Sequence, residues 1–221
     1  MTITIGNQKG GAGKSTLALL LANFLSMDKM LQVTLIDMDY QQSIAQKFDK
    51  SKVLENAEPY QVISASLESY PVLKQVITKN NHDIVLIDLP GKLDDDNLEA
   101  VFMSADLSIC PFAYEEFSFE STVLFALMMR KLNPAAQLIF IPNRIKANAK
   151  YEIMQEVNRQ LSRLGIITDP FPDRVDFQRT TTFQTPSSLM PLISPVFGKI
   201  YTDHIYGKHE IAGRSAEGRT G

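Results

Sequence analysis

Within the first 25 residues an apolar run, a glycine-rich octet and an Ala/Leu-rich segment follow one another, and this succession constrains the fold more than any other feature of the chain. Thr2-Ile3-Thr4-Ile5-Gly6 reads as a strand. Asn7-Gln8 leads into Lys9-Gly10-Gly11-Ala12-Gly13-Lys14-Ser15-Thr16, and the spacing predicts a helix over 14–29. A strand that passes through so short a loop into a helix sends that helix back along a sheet, because neither element can bury its apolar face alone. The opening of the chain already argues for a parallel α/β architecture.

The remainder repeats the theme. Further strand-like runs cover 31–37, 60–63, 83–88, 106–112 and 137–142. Helix-length segments lie between or after them at 41–51, 66–80, 95–104, 117–132 and 150–164. Several runs are continuously apolar, such as Ile84-Val85-Leu86-Ile87, as expected of strands covered on both faces by crossover helices. The fold expected is a doubly wound, mostly parallel sheet, with ligands bound beyond the carboxyl ends of its strands. One domain is expected over 1–206. From 207 to 221 the chain is polar, glycine-rich and aperiodic, and a frayed tail is expected.

Composition narrows the class. The chain has 221 residues, 44% of them hydrophobic, enough for one compact core. No apolar run approaches the roughly 20 residues that span a bilayer. The start carries no secretory signal pattern. Cys110 is the single cysteine and has no partner for an internal disulfide. These features suit a cytoplasmic protein. Charge is uneven: residues 1–120 hold 9 Lys/Arg against 17 Asp/Glu, and residues 121–221 hold 13 against 8. A basic second half can face an anionic polymer, or its charges can simply be solvated.

The octet has a direct chemical reading. Glycines at 10, 11 and 13 allow backbone N–H groups to converge on an oxyanion, and the following helix start adds unpaired donors. Lys14 is placed to meet β- and γ-phosphates, and Ser15 to offer its hydroxyl to Mg²⁺. The general pattern G-x-x-x-x-G-K-[ST] is met at its end by Gly13-Lys14-Ser15, while Gln8 occupies the first glycine position.

Asn7-Gln8-Lys9 followed by Gly10-Gly11-Ala12-Gly13-Lys14-Ser15-Thr16 resembles the deviant phosphate-loop motif of the ParA/MinD superfamily, and within it the short ParA-type plasmid partition ATPases. The resemblance covers residues 1–145 well. It implies that Gly10 to Thr16 bind nucleotide, and that Lys9 and Lys14 both act on the phosphates, Lys9 by reaching across an ATP-dependent homodimer. Alternatively, Lys9 is a solvated loop lysine. Leu35-Ile36-Asp37-Met38-Asp39-Tyr40-Gln41-Gln42 resembles the family's Asp-x-Asp-Pro-Gln segment, with Tyr40 where proline is usual and Gln42 where glycine is usual. On that likeness Asp39 orients the attacking water and Asp37 sits near the Mg²⁺ shell; alternatively the pair caps helix 41–51. Ile84 to Asp88 resembles a Walker B strand that delivers Asp88 to Mg²⁺, with Pro90-Gly91 as a γ-phosphate sensor. Asn143-Arg144 resembles the family's adenine-contacting pair, and Pro172-Asp173 its adenine-bordering turn. Asn143-Arg144-Ile145-Lys146 lacks the aspartate of a guanine-reading motif, which favours ATP.

The resemblance implies an ATPase that binds ATP and Mg²⁺, dimerises, binds DNA without sequence specificity and responds to a ParB-like activator. The task implied is segregation of a plasmid or other mobile element. With the octet so near Met1, no N-terminal helix-turn-helix is expected. Candidate DNA contacts are Arg144, Lys146, Lys150, Arg159, Arg163, Arg174, Arg179 and Lys199. Competing readings are a MinD-like membrane regulator, a conjugation accessory ATPase and a metabolic P-loop enzyme. The first needs an apolar C-terminal stripe, which the tail does not offer, so no stable membrane association is expected. Asp94-Asp95-Asp96 reads as a helix start, His82, His204 and His209 follow no ligand spacing, and Cys110 reads as core. Phe117, Phe119, Phe125 and Leu127-Met128-Met129 read as core and dimer packing.

Overall fold

The computed structural model describes residues 1–51, 58–77, 84–92, 94–147 and 149–207. The strands are β1 (Thr2–Ile5), β2 (Val33–Asp37), β3 (Gln61–Ser64), β4 (Ile84–Asp88), β5 (Leu107–Phe112), β6 (Gln137–Pro142) and β7 (Ile166–Ile167). They form one sheet in the order β3-β2-β4-β1-β5-β6-β7, and every pairing is parallel. The helices are α1 (Lys14–Asn23), α2 (Ser43–Ser51), α3 (Tyr70–Ile77), α4 (Leu98–Ser104), α5 (Glu116–Leu132), α6 (Met154–Leu161) and α7 (Met190–Ile200). The doubly wound parallel expectation holds.

Strand alternation sorts the core into two layers. In β4, Ile84 and Leu86 face one cluster while Val85 and Ile87 face the other. The first cluster gathers α1 through Leu17 to Leu25 and α7 through Ile193, Val196, Phe197 and Ile200. The second gathers α4, α5 and α6 through Phe102, Phe125, Met129, Val157 and Leu161. Cys110 is buried in that second cluster, as its apolar surroundings predict, and burial pushes its thiol pKa upward. Phe125 and Met129 are core, but Phe117 and Leu127 are 77% and 50% exposed, so the part of the expectation that placed them in the core is corrected. They sit on the solvent-facing side of α5, which turns once every 3.6 residues and can bury only part of an apolar run.

Two elements lay outside the sequence expectation. The two-residue strand β7 extends the sheet past β6. Helix α7, continued by a wider turn over Tyr201–Tyr206, closes the first cluster. Its prolines mask it in sequence. Pro191 falls in the first turn, where an N–H has no intrahelical partner anyway, while Pro195 lies inside the helix and removes one bond. The helical expectation over 150–164 contracts to Met154–Leu161, and that over 95–104 to Leu98–Ser104. Asp95 precedes α4 and accepts both Asn97 amide donors, so the aspartate run sits at a helix start. His82, His209 and the tail from 208 lie outside the described residues.

The order places β1 between β4 and β5, so the chain leaves β1 for one side of the sheet and returns to fill the other. Crevices at such a crossing open at the carboxyl ends of the strands. Asn7 fixes that corner. It is fully buried, donates to Pro111 O at 2.8 Å and to Thr122 Oγ1 at 3.0 Å, and accepts from Lys9 N at 3.0 Å. The segment entering the octet is thereby stapled to the end of β5 and to α5.

Candidate nucleotide site

The octet wraps into a loop whose shape only glycine supports at two points. Gly11 and Gly13 have φ of 76° and 92°, in the left-handed region that side chains disfavour. At Gly13 a Cβ would also lie 2.4 Å from Asn143 Nδ2. The loop runs directly into α1 at Lys14, whose first turn has no acidic residue and no side-chain cap. Its free N–H donors and positive end therefore face whatever occupies the loop.

Lys14 is 6% exposed, and none of the acidic side chains pairs with it among the described residues. Gly91 packs over it, close enough that a Cβ there would lie 3.5 Å from Lys14 Nζ. A buried ammonium of this kind has lost hydration and gains most from an anion brought to it.

Asp37 and Asp88 are register partners at the ends of β2 and β4, and both are fully buried. Their surroundings differ. Asp37 accepts from Ile44 N and Ala45 N, both at 3.0 Å, and from Asp39 N at 3.2 Å. It therefore caps α2, one of the two roles its sequence allowed. Burial raises its pKa, the amides pull it down, and the Asp39 charge pushes it up. Neither oxygen of Asp88 has a hydrogen-bond partner among the described residues. Burial pushes its pKa up to about 8; the Ser15 hydroxyl lowers it, Asp37 raises it, Lys14 lowers it and Asp39 raises it. An unpartnered buried carboxylate beside a serine hydroxyl suits a hard cation such as Mg²⁺, which takes oxygen ligands and keeps its remaining places for water and phosphate.

A cleft of about 480 Å³ opens beside the octet. Gly10, Gly11, Gly13, Lys14, Ser15 and Thr16 form one wall, Asp39, Tyr40, Gln41 and Ser43 a second, and Gly91 and Lys92 a third. The loop carrying Asp39 is held by a tight turn: Gln41 N donates to Asp39 Oδ1 at 2.9 Å and Gln42 N to Asp39 O at 2.9 Å. Lys9 is not part of this cleft. Its ammonium pairs with Glu115 at 2.7 Å, and that ion pair, reinforced by Lys146 and Arg144, holds the Glu115 carboxyl below its usual range.

A second pocket continues from the first through Gly13, Thr16 and Arg144. Asn143, Phe171, Pro172 and Asp173 line it, together with Leu17, Leu20, Phe177 and Gln178. Two loops run side by side here: Ile145 N donates to Phe171 O and Asp173 N to Ile145 O, both at 3.0 Å. Asn143 Nδ2 donates to Ala12 O at 2.9 Å and Arg144 NH1 to Gly11 O at 2.8 Å, so both side chains brace the octet. Arg144 does so at φ 60°, a conformation that costs a non-glycine residue about 1–2 kcal/mol. A slot that sets Phe171, Pro172 and Phe177 beside the amides of Asn143 and Gln178 offers both the apolar contact and the hydrogen-bonding groups that a purine base needs.

The structure thus assembles Lys14, Ser15, Thr16, Asp39 and Gly91 in one cleft, while Asp37 and Asp88, fully buried at adjacent strand ends, do not line it. Asn143, Arg144, Pro172 and Asp173 come together in the adjoining slot. Sequence reasoning did not single out Gln178 or Phe177, which sit on a short 3₁₀ turn, Val175–Arg179, with no periodic signature. Three of the basic residues suggested for DNA are ion-paired. Arg159 pairs with Glu156, and Arg174 and Arg179 both pair with Asp176.

The profile of the CobQ/CobB/MinD/ParA nucleotide binding domain matches residues 3–186. The chain belongs to this family. Solved structures of several kinds share its fold. A plasmid partition protein from Borrelia burgdorferi B31, bound to AMPPNP, superposes with a TM-score of 0.71 at 24% identity over 91% of this chain and 98% of its own. The apo form of McdA from Cyanothece gives a TM-score of 0.71 at 16% identity, covering 91% of this chain and 98% of that one. Cobyrinic acid a,c-diamide synthase from Mycobacterium smegmatis, with bound ADP and magnesium, gives 0.60 at 18% identity, covering 88% and 96%. Comparison with curated protein sequences returns no match.

Proposed function

We propose that this ParA/MinD-family protein is an ATPase of the plasmid-partition kind. It binds ATP and Mg²⁺ in the cleft above α1 and dimerises around the nucleotide. In that state it binds DNA without sequence preference, and it lets go after hydrolysis prompted by a ParB-like partner. The carrying observation is the buried, unpaired Lys14 beneath a glycine loop, with the unpartnered Asp88 carboxylate at its side. The AMPPNP bound to the Borrelia partition protein supports the choice of nucleotide.

The roles follow from placement. Main-chain amides of Gly10 to Ser15 and the Lys14 ammonium receive the phosphates. Ser15 and Asp88 are the residues that would hold Mg²⁺, which supplies positive charge against the phosphate oxygens when bound. Asp37 serves that site from behind, since its oxygens are taken up by α2 and Asp39 amides. Asp39 keeps one carboxylate oxygen for a water, because only Oδ1 is engaged by Gln41. Asn143, Arg144, Pro172 and Asp173 border the adenine.

Lys9 is the residue assigned to the partner's nucleotide. Its pairing with Glu115 is partly exposed, and such pairs are worth about 0–1 kcal/mol, so a triphosphate competes for it readily. DNA contact then rests on Arg144, Lys146, Lys150, Arg159, Arg163, Arg174, Arg179 and Lys199, since the ion pairs of Arg159, Arg174 and Arg179 are as exposed and as weak as that of Lys9. A cytoplasmic, nucleoid-associated location goes with that reading; no described helix is long and apolar enough to cross a membrane.

A gel shift on random-sequence DNA tests the proposal. With ATP the protein should retard DNA, with ADP much less, and added salt should weaken the complex steeply as phosphate contacts are lost. Retardation that ignores the nucleotide would count against it.

A further inference from the structure

Tyr40 is 69% exposed, yet it lines the phosphate cleft beside Asp39. Its hydroxyl donates to Asp95 Oδ2 at 3.3 Å. Asp95 is not a loose acceptor. Its other oxygen takes Asn97 N and Asn97 Nδ2, both at 2.9 Å, at the start of α4. Helix α4 is in turn anchored in the core by Leu98, Val101 and Phe102. On the other side, Tyr40 belongs to the turn closed by Gln41 N and Gln42 N on Asp39, and Gln42 holds φ 47° in that turn.

One hydrogen bond therefore joins two segments 55 positions apart in the chain. The first carries Asp39. The second carries Gly91, which rests on Lys14 and Gly10. Both segments line the cleft where Lys14 and Ser15 face it. Tyr40 is surrounded by acids as well: Asp95, Asp94 and Glu68 all bear on it. Its phenol is the neutral donor through which the Asp39 turn can approach that acidic edge without adding another negative charge.

We propose that Tyr40 is a positioning residue: its hydroxyl, bonded to Asp95, ties the Asp39 turn, which lines the cleft, to the start of α4, fixing Asp39 and slowing nucleotide release. The inference rests on the nucleotide-binding reading above. It predicts that losing the link loosens Asp39 and that side of the cleft together, whereas a merely exposed tyrosine affects neither. The link is a single hydrogen bond between exposed groups, so its loss changes rates severalfold and not by orders of magnitude.

The test combines stopped-flow release of a fluorescent ATP analogue with steady-state hydrolysis, on the full chain, for Tyr40→Phe, Asp95→Ala and the double variant. Tyr40→Phe removes only the hydroxyl at an exposed position and should leave the melting temperature unchanged. Each single variant should release the analogue about three- to tenfold faster and turn over ATP about threefold more slowly. The double variant should release no faster than the faster single one, since both break the same bond. Wild-type release and turnover in Tyr40→Phe overturn the proposal, as do effects of the two single changes that simply multiply. A wild-type protein that fails to bind the analogue removes the nucleotide reading, and this proposal with it. Wild-type binding with an unaltered Tyr40→Phe variant removes this proposal alone.

Discussion

At the phosphate end of the cleft the groups that face a ligand are main-chain amides, the Lys14 ammonium and small polar side chains such as Ser15 and Asp39, carried by the first turn of α1 or just past the tips of β1, β2 and β4. At the base end they hang from two loops, 143–145 and 171–178, held to each other by a pair of backbone hydrogen bonds. The first end is positioned by a sheet buried on both faces, the second by local turns laid over Leu17 and Leu20. Where function needs atoms fixed to a fraction of an ångström, as with phosphoryl groups, the chain uses strand ends. Where it needs only a flat slot, it uses loops. Substitutions should accordingly cost most at the phosphate end, and each prediction below can break that ranking.

Lys14→Ala should have the largest effect. The ammonium is buried, unpaired and irreplaceable by solvent, so ATP affinity measured by calorimetry should fall at least about 100-fold, some 2.7 kcal/mol. The variant should melt no lower than wild type, since a desolvated charge has been removed. An affinity within a factor of a few would mean that the amides of the loop act alone. Asp39→Ala should come next and act differently. It leaves the loop and Lys14 untouched, so ATP should bind within about threefold of wild type. Hydrolysis should slow at least tenfold, about 1.4 kcal/mol on the barrier. Wild-type turnover would reassign the water-orienting role.

The same contrast governs what could be read in the sequence. Strand tips announce themselves: Ile84 to Ile87 followed by Asp88, and Leu35-Ile36-Asp37, are apolar runs that end in a carboxylate, and both lie in register as adjacent parallel strands. The octet is equally legible because Gly11 and Gly13 stand where φ is positive. Gln42 also holds positive φ and is marked only through the family resemblance, since glycine is usual there; Arg144, likewise positive, carries no mark in the sequence. Asp37 was legible as a strand-end acid, and only the geometry divides its two possible roles, because a cap depends on where Ile44 and Ala45 point their amides. Phe177 and Gln178 were invisible for a plainer reason: a 3₁₀ turn of five residues has no apolar period to detect. Helix α7 was hidden by Pro191 and Pro195, residues that argue against a helix everywhere except near its first turns.

The smallest expected effect tests whether the two ends are independent at all. Asn143 belongs to the base slot, yet its amide holds Ala12 O at 2.9 Å and packs against Gly13, while its own backbone N–H donates to Phe112 O at 2.6 Å. Asn143→Ala removes the side-chain bond and leaves the backbone anchor. ATP affinity should fall about three- to tenfold, roughly one to two neutral hydrogen bonds. If the loss is confined to the base, ATP and ADP must weaken by the same factor, because the adenine is common to both. If Asn143 also shapes the octet through Ala12, ATP must weaken more than ADP, because Lys14 meets the additional γ-phosphate as well as the β-phosphate that both nucleotides carry. The close approach at Gly13 favours the second outcome, and equal losses would restore the view of two separately built ends.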